Sequence, residues 1–372
     1  MSGWRSTTWA AARRADPAVA EIRKGRGAGL NPEGRFESRA VEKADDGWAL
    51  EAEAEPPFAT TVSLVEARSL ISYNESPDIG FDRSINPYQG CEHGCIYCYA
   101  RPAHGYLNLS AGLDFETRLF AKRNAAEVLD RELRARRYRP AFLMVGSNTD
   151  CYQPIEREHR ITRQVLEVLA AFRHPLGIIT KGSLIERDLD LIAELADQQL
   201  VTVGITLTTL DPALKRTLEP RAASPQARLK LMRRLADLGV PVRVMFSPVI
   251  PFVNDAELEA VLEAGRDHGA TSASYVLLRL PHEVKTLFRD WLAAHLPLKA
   301  EHVMSLVQQM RGGADYDASF GTRMRGEGAF ADLIRQRYRL ATRRLGLDRP
   351  RAEPDIGRFR VPPQGGQQGF GF

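Results

Sequence analysis

The sequence has few cysteines and no long hydrophobic run. Its 372 residues include four cysteines, three of them within one short stretch. That distribution is unsuited to a disulfide framework and is typical of a protein kept in a reducing compartment. No apolar run approaches the length of a membrane span, and the N-terminus carries Trp4, Arg5 and Arg13 where a signal peptide would have an apolar core. We therefore expect a cytoplasmic protein with no membrane association.

The chain also carries little excess charge, and that excess is local. The formal net charge is +4, and residues 1–40 alone contain eight Lys/Arg against four Asp/Glu, so 8 − 4 = +4. Within them, residues 24–29 are basic and glycine-rich. Two interpretations remain open: a solvated disordered tail, or a flexible arm on an anionic partner such as nucleic acid.

Composition and periodicity divide the chain into four segments. A hydrophobic content of 44% and a charged content of 26% are those of an ordinary globular protein. We expect a largely irregular basic extension with a short helix near 17–23, a main domain, a C-terminal helical region and a flexible tail. The predicted boundaries are 1–60, 61–295, 296–350 and 351–372.

Short apolar runs alternate with helical patterns from residue 141 onward. The predicted strands are 141–145, 176–180, 201–207, 242–246 and 273–278, and the helices that follow them are 157–172, 189–196, 227–238, 256–268 and 284–295. A first strand over 83–90 makes six βα units. Such units predict a parallel sheet with right-handed crossovers, as either a barrel or an open sheet. Further helices are predicted over 301–310 and 329–345, around a glycine-rich stretch from 312 to 328.

Three cysteines form a C-x3-C-x2-C motif directly after the first predicted strand. Cys91, Cys95 and Cys98 lie within eight residues. Thiolates are the usual ligands of iron–sulfur clusters, and three of them leave one iron of a 4Fe-4S cluster open for chemistry. A structural zinc site with Cys151 as the fourth ligand is the alternative. Glu92 and His93, inside the loop, are expected to face solvent.

The motif, with Tyr97 before its last cysteine, resembles the cluster motif of the radical S-adenosylmethionine (radical SAM) enzymes. The resemblance covers about residues 70–295 and implies a partial (βα)6 barrel of the TIM type, with an N-terminal extension and C-terminal helices. It implies a 4Fe-4S cluster, S-adenosyl-L-methionine (SAM) on its open iron, and an electron donor such as flavodoxin or ferredoxin. The implied reaction is reductive cleavage of SAM to a 5′-deoxyadenosyl radical, which abstracts hydrogen from an unidentified substrate.

The overall pattern is nearest to the spore photoproduct lyase-like branch of that family. This similarity implies a lyase-like enzyme and a nucleic-acid-related substrate, which an arginine-rich run over 134–139 also suggests. That run equally fits the solvated end of a helix. A non-enzymatic zinc or nucleic-acid-binding protein is the alternative from another functional class.

Ligands of parallel α/β folds bind at the carboxyl ends of the strands, so the residues there are site candidates. By resemblance, Ser147 and Thr149 contact the amino group of SAM, oriented by Asp150, although the same residues also fit an Asx or Ser turn. Lys181 is implied as the partner of the SAM carboxylate. Thr206 or Thr208, on the polar face of their strand, reaches the ribose or the methionyl part.

Three further residues are candidates for the site. Tyr97 belongs with the cofactor-contacting residues because it lies inside the cluster motif. Cys151 resembles the hydrogen-donating cysteine of the lyase branch, although its register differs, and the alternative is an inert buried thiol. Arg221 suits a bidentate contact with a carboxylate or phosphate, or an ordinary ion pair with Glu219.

Overall fold

The computed structural model describes residues 22–33, 35–36, 59–348 and 354–363. All structural statements below concern these residues. Most of the helix predicted near 17–23 lies outside them. No helix in the described part of the chain is long and apolar enough to cross a membrane.

Ten strands form two sheets. The strands are β1 Thr61–Val65, β2 Ile71–Tyr73, β3 Arg83–Ile85, β4 Tyr88–Gln89, β5 Arg118–Lys122, β6 Leu143–Val145, β7 Leu176–Thr180, β8 Val201–Thr206, β9 Val242–Val249 and β10 Ser272–Leu277. The large sheet has the order β10-β9-β8-β7-β6-β3-β2, and a small sheet has the order β1-β5-β4. In the large sheet only β2 is antiparallel to its neighbour, so six strands run parallel.

Eleven α-helices are described, most of them following parallel strands. They are α1 Leu113–Thr117, α2 Ala125–Leu133, α3 Glu156–His159, α4 Ile161–Ala171, α5 Leu189–Asp197, α6 Pro212–Leu218, α7 Pro225–Asp237, α8 Leu258–Asp267, α9 Val284–His295, α10 Ala300–Gln309 and α11 Gly328–Leu345. The six parallel strands with their crossover helices confirm the predicted α/β fold.

Local sequence signals explain several helix boundaries. Ser224 caps α7 by accepting a hydrogen bond from the Ala227 amide, and proline follows the cap at the first helical position. After the helix, Gly239 adopts a positive φ of 74°, a conformation that glycine reaches without strain. The sequence therefore fixes both ends of this helix.

The main core lies between the parallel sheet and the helices that cover its outer face. Val203, Ile205 and Val244 are fully buried there. The alternate residues Thr202 and Gly204 line a cavity of about 60 Å³, with Met245 from the next strand. The alternation predicted for this strand is thus present, and its polar face points away from the helices.

The predicted first strand is in fact two strands. Residues 83–85 pair with β6 in the large sheet, whereas Tyr88 and Gln89 pair with β5 in the small one. Pro87 lies between them and cannot donate a ladder hydrogen bond, which favours the break there. The chain therefore changes sheet immediately before the cysteine motif.

The glycine-rich stretch between α10 and α11 joins the two edges of the large sheet. The Leu277 amide on β10 donates to the Met324 carbonyl at 3.0 Å. At the other edge, Arg323 pairs with Asp78, which follows β2, and the Gly321 amide donates to the same carboxylate at 2.7 Å. This connection spans the open side of the partial barrel.

Candidate functional site

The three motif cysteines lie on one tight loop at the carboxyl end of β4. The Gly94 amide donates to the Cys91 carbonyl at 3.3 Å, and the Cys98 amide donates to the Cys95 carbonyl at 3.2 Å. Gly94 has a φ of 66°, and a side chain there would meet the Glu116 carboxylate at 2.6 Å. The loop therefore requires glycine at its turn.

Cys91 and Cys95 are buried, and Cys98 is partly buried. Burial raises the pKa of Cys95 to about 12, the carboxylate of Glu219 adds to the rise, and the positive charge of Lys181 opposes it. Burial also raises the pKa of Cys91 and Cys98, and the thiols of Cys95 and Cys98 contribute to the rise at Cys91. Binding of a metal group would displace the thiol protons.

Three thiolates on one loop are a donor set that suits an iron–sulfur cluster. Zinc thiolates lie about 2.3 Å from one metal, so the ligands of a zinc site converge on one point. In the described part of the chain, no group of three or more His, Cys, Asp or Glu side chains converges in that way. A cluster instead takes each thiolate on a separate iron.

A buried arginine supports the backbone of the cysteine loop. The Arg101 side chain is fully buried and donates to the carbonyl oxygens of Cys95 at 2.9 Å and Gly94 at 3.1 Å. It also forms an ion pair with Glu116, whose carboxylate is equally buried. Carbonyl contacts of this kind fix the loop backbone without using the thiols.

The glycine-rich segment near the N-terminus packs against this same loop. The Gly27 and Ala28 amides donate to Glu116 at 3.0 and 2.9 Å. A Cβ atom at position 27 would lie 1.9 Å from the Gly94 carbonyl oxygen. The interpretation of residues 24–29 as a disordered tail or flexible arm is therefore wrong for the described residues 22–33, although these residues contain no helix or strand.

Two polar loop residues are buried, contrary to expectation. Glu92 accepts a hydrogen bond from Thr60 at 2.6 Å and pairs with Arg221. The Nδ1 atom of His93 lies 3.3 Å from a carboxylate oxygen of Asp150. Glu92 and His93 are 7% and 2% exposed, respectively, so both support the loop instead of facing water.

Asp150 connects the ends of β6 and β7. It accepts hydrogen bonds from the Thr180 hydroxyl and the Lys181 amide, each at 2.7 Å, and from the Tyr152 amide at 2.9 Å. Burial alone would raise the pKa of Asp150, but the charge of His93 and the hydrogen bonds lower it to about 2. The bond to Tyr152 is the Asx turn considered above.

Ser147 and Thr149 lie on that loop, and in the described part of the chain neither forms a side-chain hydrogen bond with the Asp150 carboxylate. The Thr149 hydroxyl donates to the Tyr88 carbonyl at 2.8 Å, and the Ser147 carbonyl accepts from the Tyr99 hydroxyl. The orientation of these two residues by Asp150 stays a prediction. Their contact with SAM stays a prediction.

Three predicted site residues lie close together beside the cysteine loop, namely Lys181, Tyr97 and Thr208. The Lys181 ammonium lies 5.9 Å from the centre of the Tyr97 ring. The Tyr97 hydroxyl donates to Glu219 and lies 3.2 Å from the Thr208 hydroxyl, which donates to Glu219 at 2.6 Å. The structure thus brings together three residues that the sequence placed on separate segments.

Glu219 is the centre of this network, and the sequence did not predict its role. Burial alone would raise its pKa, but the charges of Arg228 and Lys181 lower it to about 2. Its ion-pair partner is Arg228, fully buried on α7. Arg221 pairs with Glu92 instead, so the predicted Glu219–Arg221 pair is wrong. The local sequence does not reveal which of the two arginines is buried against Glu219.

Thr206 and Cys151 are both buried near the strand ends. The Thr206 carbonyl accepts from Arg228 at 2.8 Å, and its side chain is 2% exposed. Cys151 has no exposed surface, and its sulfur lies 4.0 Å from the Ile179 carbonyl oxygen. Burial, with the nearby Asp150 charge, raises the pKa of Cys151 well above its ordinary value. A redox role for this thiol stays a prediction.

The mouth of the site carries an exposed aromatic ring that sequence reasoning did not single out. Tyr99 is 48% exposed, and the Arg279 guanidinium lies 5.3 Å from its ring centre. Arg279 follows β10, so this contact joins the last parallel strand to the cysteine loop. The arginine-rich run over 134–139, in contrast, precedes β6 and lies at the amino-terminal ends of the strands.

Comparison with known proteins agrees with this architecture. The sequence model of the radical SAM superfamily matches residues 85–265. An uncharacterised protein of Mycobacterium tuberculosis is 38% identical over 286 residues, covering 76% of this chain and 81% of that protein. An uncharacterised protein of Methanocaldococcus jannaschii is 27% identical over 197 residues, covering 53% of this chain and 71% of the other.

The fold is similar to that of spore photoproduct lyase. A structure of that enzyme in complex with dinucleoside spore photoproduct has a TM-score of 0.55 and 13% identity, covering 76% of this chain and 79% of the lyase. A mutant of the lyase with bound AdoMet and the same dinucleoside has a TM-score of 0.54 and 12% identity over the same shares. Taken together with the cysteine loop and the six parallel strands, these matches show that the chain belongs to the radical SAM superfamily.

Proposed function

We propose that the protein is a radical SAM enzyme with one 4Fe-4S cluster on Cys91, Cys95 and Cys98. The observation that carries the proposal is the buried loop of three thiols beside Lys181 and the Tyr97–Glu219 network. When bound, the cluster and SAM would supply reductive cleavage of SAM and hydrogen abstraction from a substrate. The residues present fit that pair of cofactors.

The strand ends offer the contacts that SAM requires. Lys181 is a compact cation suited to the carboxylate of SAM, and its position is fixed by the bond from its amide to Asp150. Ser147 and Thr149 supply oxygen acceptors for the amino group, and Thr206 and Thr208 supply polar atoms for the ribose or methionyl part. Tyr97, held by Glu219, borders this space.

The chain's own contribution is orientation and exclusion of water. Glu219, Arg228 and Asp150 are locked by ion pairs and hydrogen bonds, so the polar groups around the site are preorganised. Burial of the loop protects reactive species from solvent. Arg221 contributes through Glu92, to which it is paired, and Cys151 is our candidate hydrogen donor if the substrate reaches its buried sulfur.

A nucleic-acid-related substrate is the first class to test. Its support is the fold shared with an enzyme that has been solved with a dinucleoside. The exposed Tyr99 ring beside Arg279 adds an aromatic and a cationic group at the mouth, which suits stacking on a base and pairing with a phosphate. No lyase reaction is assigned on this basis.

The test is anaerobic reconstitution with iron and sulfide, followed by addition of dithionite and SAM. We expect a brown protein that forms 5′-deoxyadenosine, and we expect Cys91→Ala, Cys95→Ala and Cys98→Ala to lose both the colour and the product. Cys151→Ala is the matched control and should keep its cluster. A colourless protein that holds only zinc, loses it with Cys151→Ala and leaves SAM intact would contradict the proposal and favour a binding protein.

A further inference from the structure

A cavity of about 360 Å³ lies on the outer side of the cysteine loop. The glycine-rich segment forms one wall, the end of α6 forms another, and α9 forms the floor through Leu287 and Trp291. None of the strand-end residues proposed to contact SAM lines this cavity. It is therefore separate from the site described above.

The cavity wall directly supports the loop that carries the thiols. Gly27 lines the cavity and packs so closely on Gly94 that a side chain would collide with its carbonyl oxygen at 1.9 Å. Pro220 lines the cavity too, and its ring lies 3.4 Å from where a Gly94 side chain would begin. Only this packed layer lies between the cavity and the turn before Cys95.

A short bonded route leads from the cavity floor to a cluster cysteine. The Trp291 indole nitrogen donates to the Thr217 carbonyl at 3.1 Å. The next residue, Leu218, accepts at its carbonyl from the Ile96 amide at 3.1 Å, and Ile96 is bonded to Cys95. Two hydrogen bonds and about nine covalent bonds thus connect the indole nitrogen of Trp291 to the Cys95 sulfur. Electron transfer over such distances is fastest along short bonded paths with few gaps.

The rim of the cavity is basic. Four of its described residues are lysine or arginine, namely Arg23, Lys24, Arg26 and Arg216, and Asp290 is the one acidic residue among the described residues that line it. Lys24 and Arg216 are exposed. An apolar, aromatic centre inside a charged rim is the usual composition of a protein–protein interface, and the charge favours an acidic partner.

We propose that this cavity is the docking surface for a small acidic one-electron donor protein of the flavodoxin or ferredoxin kind. The inference rests on the proposed function, because only a redox cluster on the loop would need such a donor. The reduced flavin or iron–sulfur centre of the donor loses one electron and the oxidised cluster of this protein gains it. No covalent bond forms or breaks in that step. A nucleic acid would also match the basic rim of the cavity, but binding of a nucleic acid would not use the bonded route to Cys95.

The first readout is binding, measured without turnover. Oxidised flavodoxin and an oxidised ferredoxin are each titrated into the reconstituted full-length protein by calorimetry at low and moderate salt. We expect at least one donor to bind, with Kd rising as salt increases, and we expect Lys24→Glu combined with Arg216→Glu to raise Kd by at least tenfold. Absence of binding by both donors, or an unchanged Kd in the variant, would overturn the docking surface.

The second readout locates the contact by zero-length carbodiimide cross-linking. We expect an amide between the Lys24 amine and a donor carboxylate, identified by mass spectrometry. Lys24→Arg is the matched control: it keeps the charge and should keep the Kd within about twofold, yet lose this cross-link, because a guanidinium does not form the amide. Cross-links confined to lysines outside the cavity rim would overturn the assignment.

Activity separates this inference from the proposed function. With dithionite, which needs no docking surface, the charge variants should form 5′-deoxyadenosine at the wild-type rate within about twofold, whereas the donor-driven rate should fall at least tenfold. If dithionite drives no cleavage in the wild type, the proposed function itself fails. If the charge variants lose affinity for single-stranded DNA but keep their donor-driven rate, the cavity binds nucleic acid and the inference is wrong.

Discussion

Gly182 decides how closely the end of β7 approaches the loop after β6. A Cβ atom at this position would lie 2.3 Å from the Tyr152 carbonyl oxygen and 3.1 Å from the Tyr152 Cβ. Both atoms are held in place, because Tyr152 is buried and its hydroxyl donates to Asp188 at 3.0 Å. Any larger residue must therefore push the strand end, and Lys181 with it.

We predict that Gly182→Ala weakens SAM binding by at least tenfold and lowers the free energy of unfolding by about 1–3 kcal/mol, the usual cost of overpacking. Equilibrium dialysis with labelled SAM and urea unfolding measure the two effects. Gly105→Ala is the control, because its nearest neighbour would be an ordinary contact at 3.5 Å. If Gly182→Ala bound SAM as tightly as the wild type, the position of Lys181 would not depend on the close contact between Gly182 and Tyr152.

His174 gives the fold a specific sensitivity to acid. Burial lowers its pKa from 6.5 to about 4. Its ring nitrogens lie 2.5 Å from the Tyr138 hydroxyl and 3.0 Å from the Pro175 carbonyl oxygen. The unfolded chain binds a proton at this residue below about pH 6.5, but the folded chain does so only below about pH 4.

The contribution of neutral His174 to the free energy of unfolding is therefore fully present above pH 6.5, and it is lost as the pH falls to 4. The shift corresponds to about 3 kcal/mol. We predict that His174→Gln flattens the decrease of the unfolding free energy between pH 6.5 and 4, measured by urea titration at several pH values. His282→Asn, at an exposed position, should leave the wild-type slope unchanged. Equal slopes for wild type and His174→Gln would contradict the assignment.

At the scale of elements, Glu116 on α1 joins the glycine-rich segment to the cysteine loop. It binds two amides of that segment and the buried Arg101, which in turn binds the loop carbonyls. We predict that Glu116→Gln lowers the unfolding free energy by about 3–5 kcal/mol, because it leaves the Arg101 charge buried without its partner. Trypsin should then cleave faster after Arg23, Lys24 or Arg26.

The control for this prediction is Glu66→Gln. Glu66 pairs with Arg123 at the surface, and both side chains are more than half exposed. Such pairs contribute about 0–1 kcal/mol. If Glu116→Gln lowered the free energy of unfolding no more than Glu66→Gln, the glycine-rich segment would be held by packing alone.

The strands that the sequence predicts are mostly short apolar runs, and a strand without such a run is missed. The strands from β6 to β10 were predictable because each is a short apolar run followed by a helical pattern. β1 was missed because all five of its residues are exposed or only partly buried. The Gly27–Glu116 contact joins residues 89 positions apart in segments without periodicity, so no local signal could reveal it.

The residues of the candidate site likewise fall into a predicted group and an unpredicted group. The cysteine spacing predicts the three thiols, and the strand ends predict Lys181 and Thr208. The burial of Glu219 with Arg228 was not predictable, because a charged pair on a loop and a helix looks like an ordinary surface pair until the fold covers it.

At the scale of the whole molecule, the Arg323–Asp78 pair closes the open side of the sheet. The two residues are 245 positions apart, and their side chains are 17% and 7% exposed. We predict that Asp78→Asn speeds hydrogen exchange across residues 312–328, because Arg323 and the Gly321 amide lose their charged partner. Mass spectrometry of deuterium uptake measures the exchange.

Asp332→Asn, which removes an exposed pair three residues apart on α11, should leave exchange in that stretch unchanged. The exchanged pair Asp78→Arg with Arg323→Asp should recover part of the protection. Equal exchange in Asp78→Asn and the wild type would show that the stretch is held without the pair.

The long separations around the cysteine loop have a consequence for how the protein matures. Arg221 reaches back 129 residues to Glu92, and the Ile96 amide needs the Leu218 carbonyl. Cys98 therefore leaves the ribosome 221 − 98 = 123 residues before the support for its loop is complete. At the usual speed of synthesis that interval is on the order of ten seconds. During it the three thiols lie on an unfinished chain, so the cluster proposed for them would be inserted only after synthesis of the barrel, when the loop has closed.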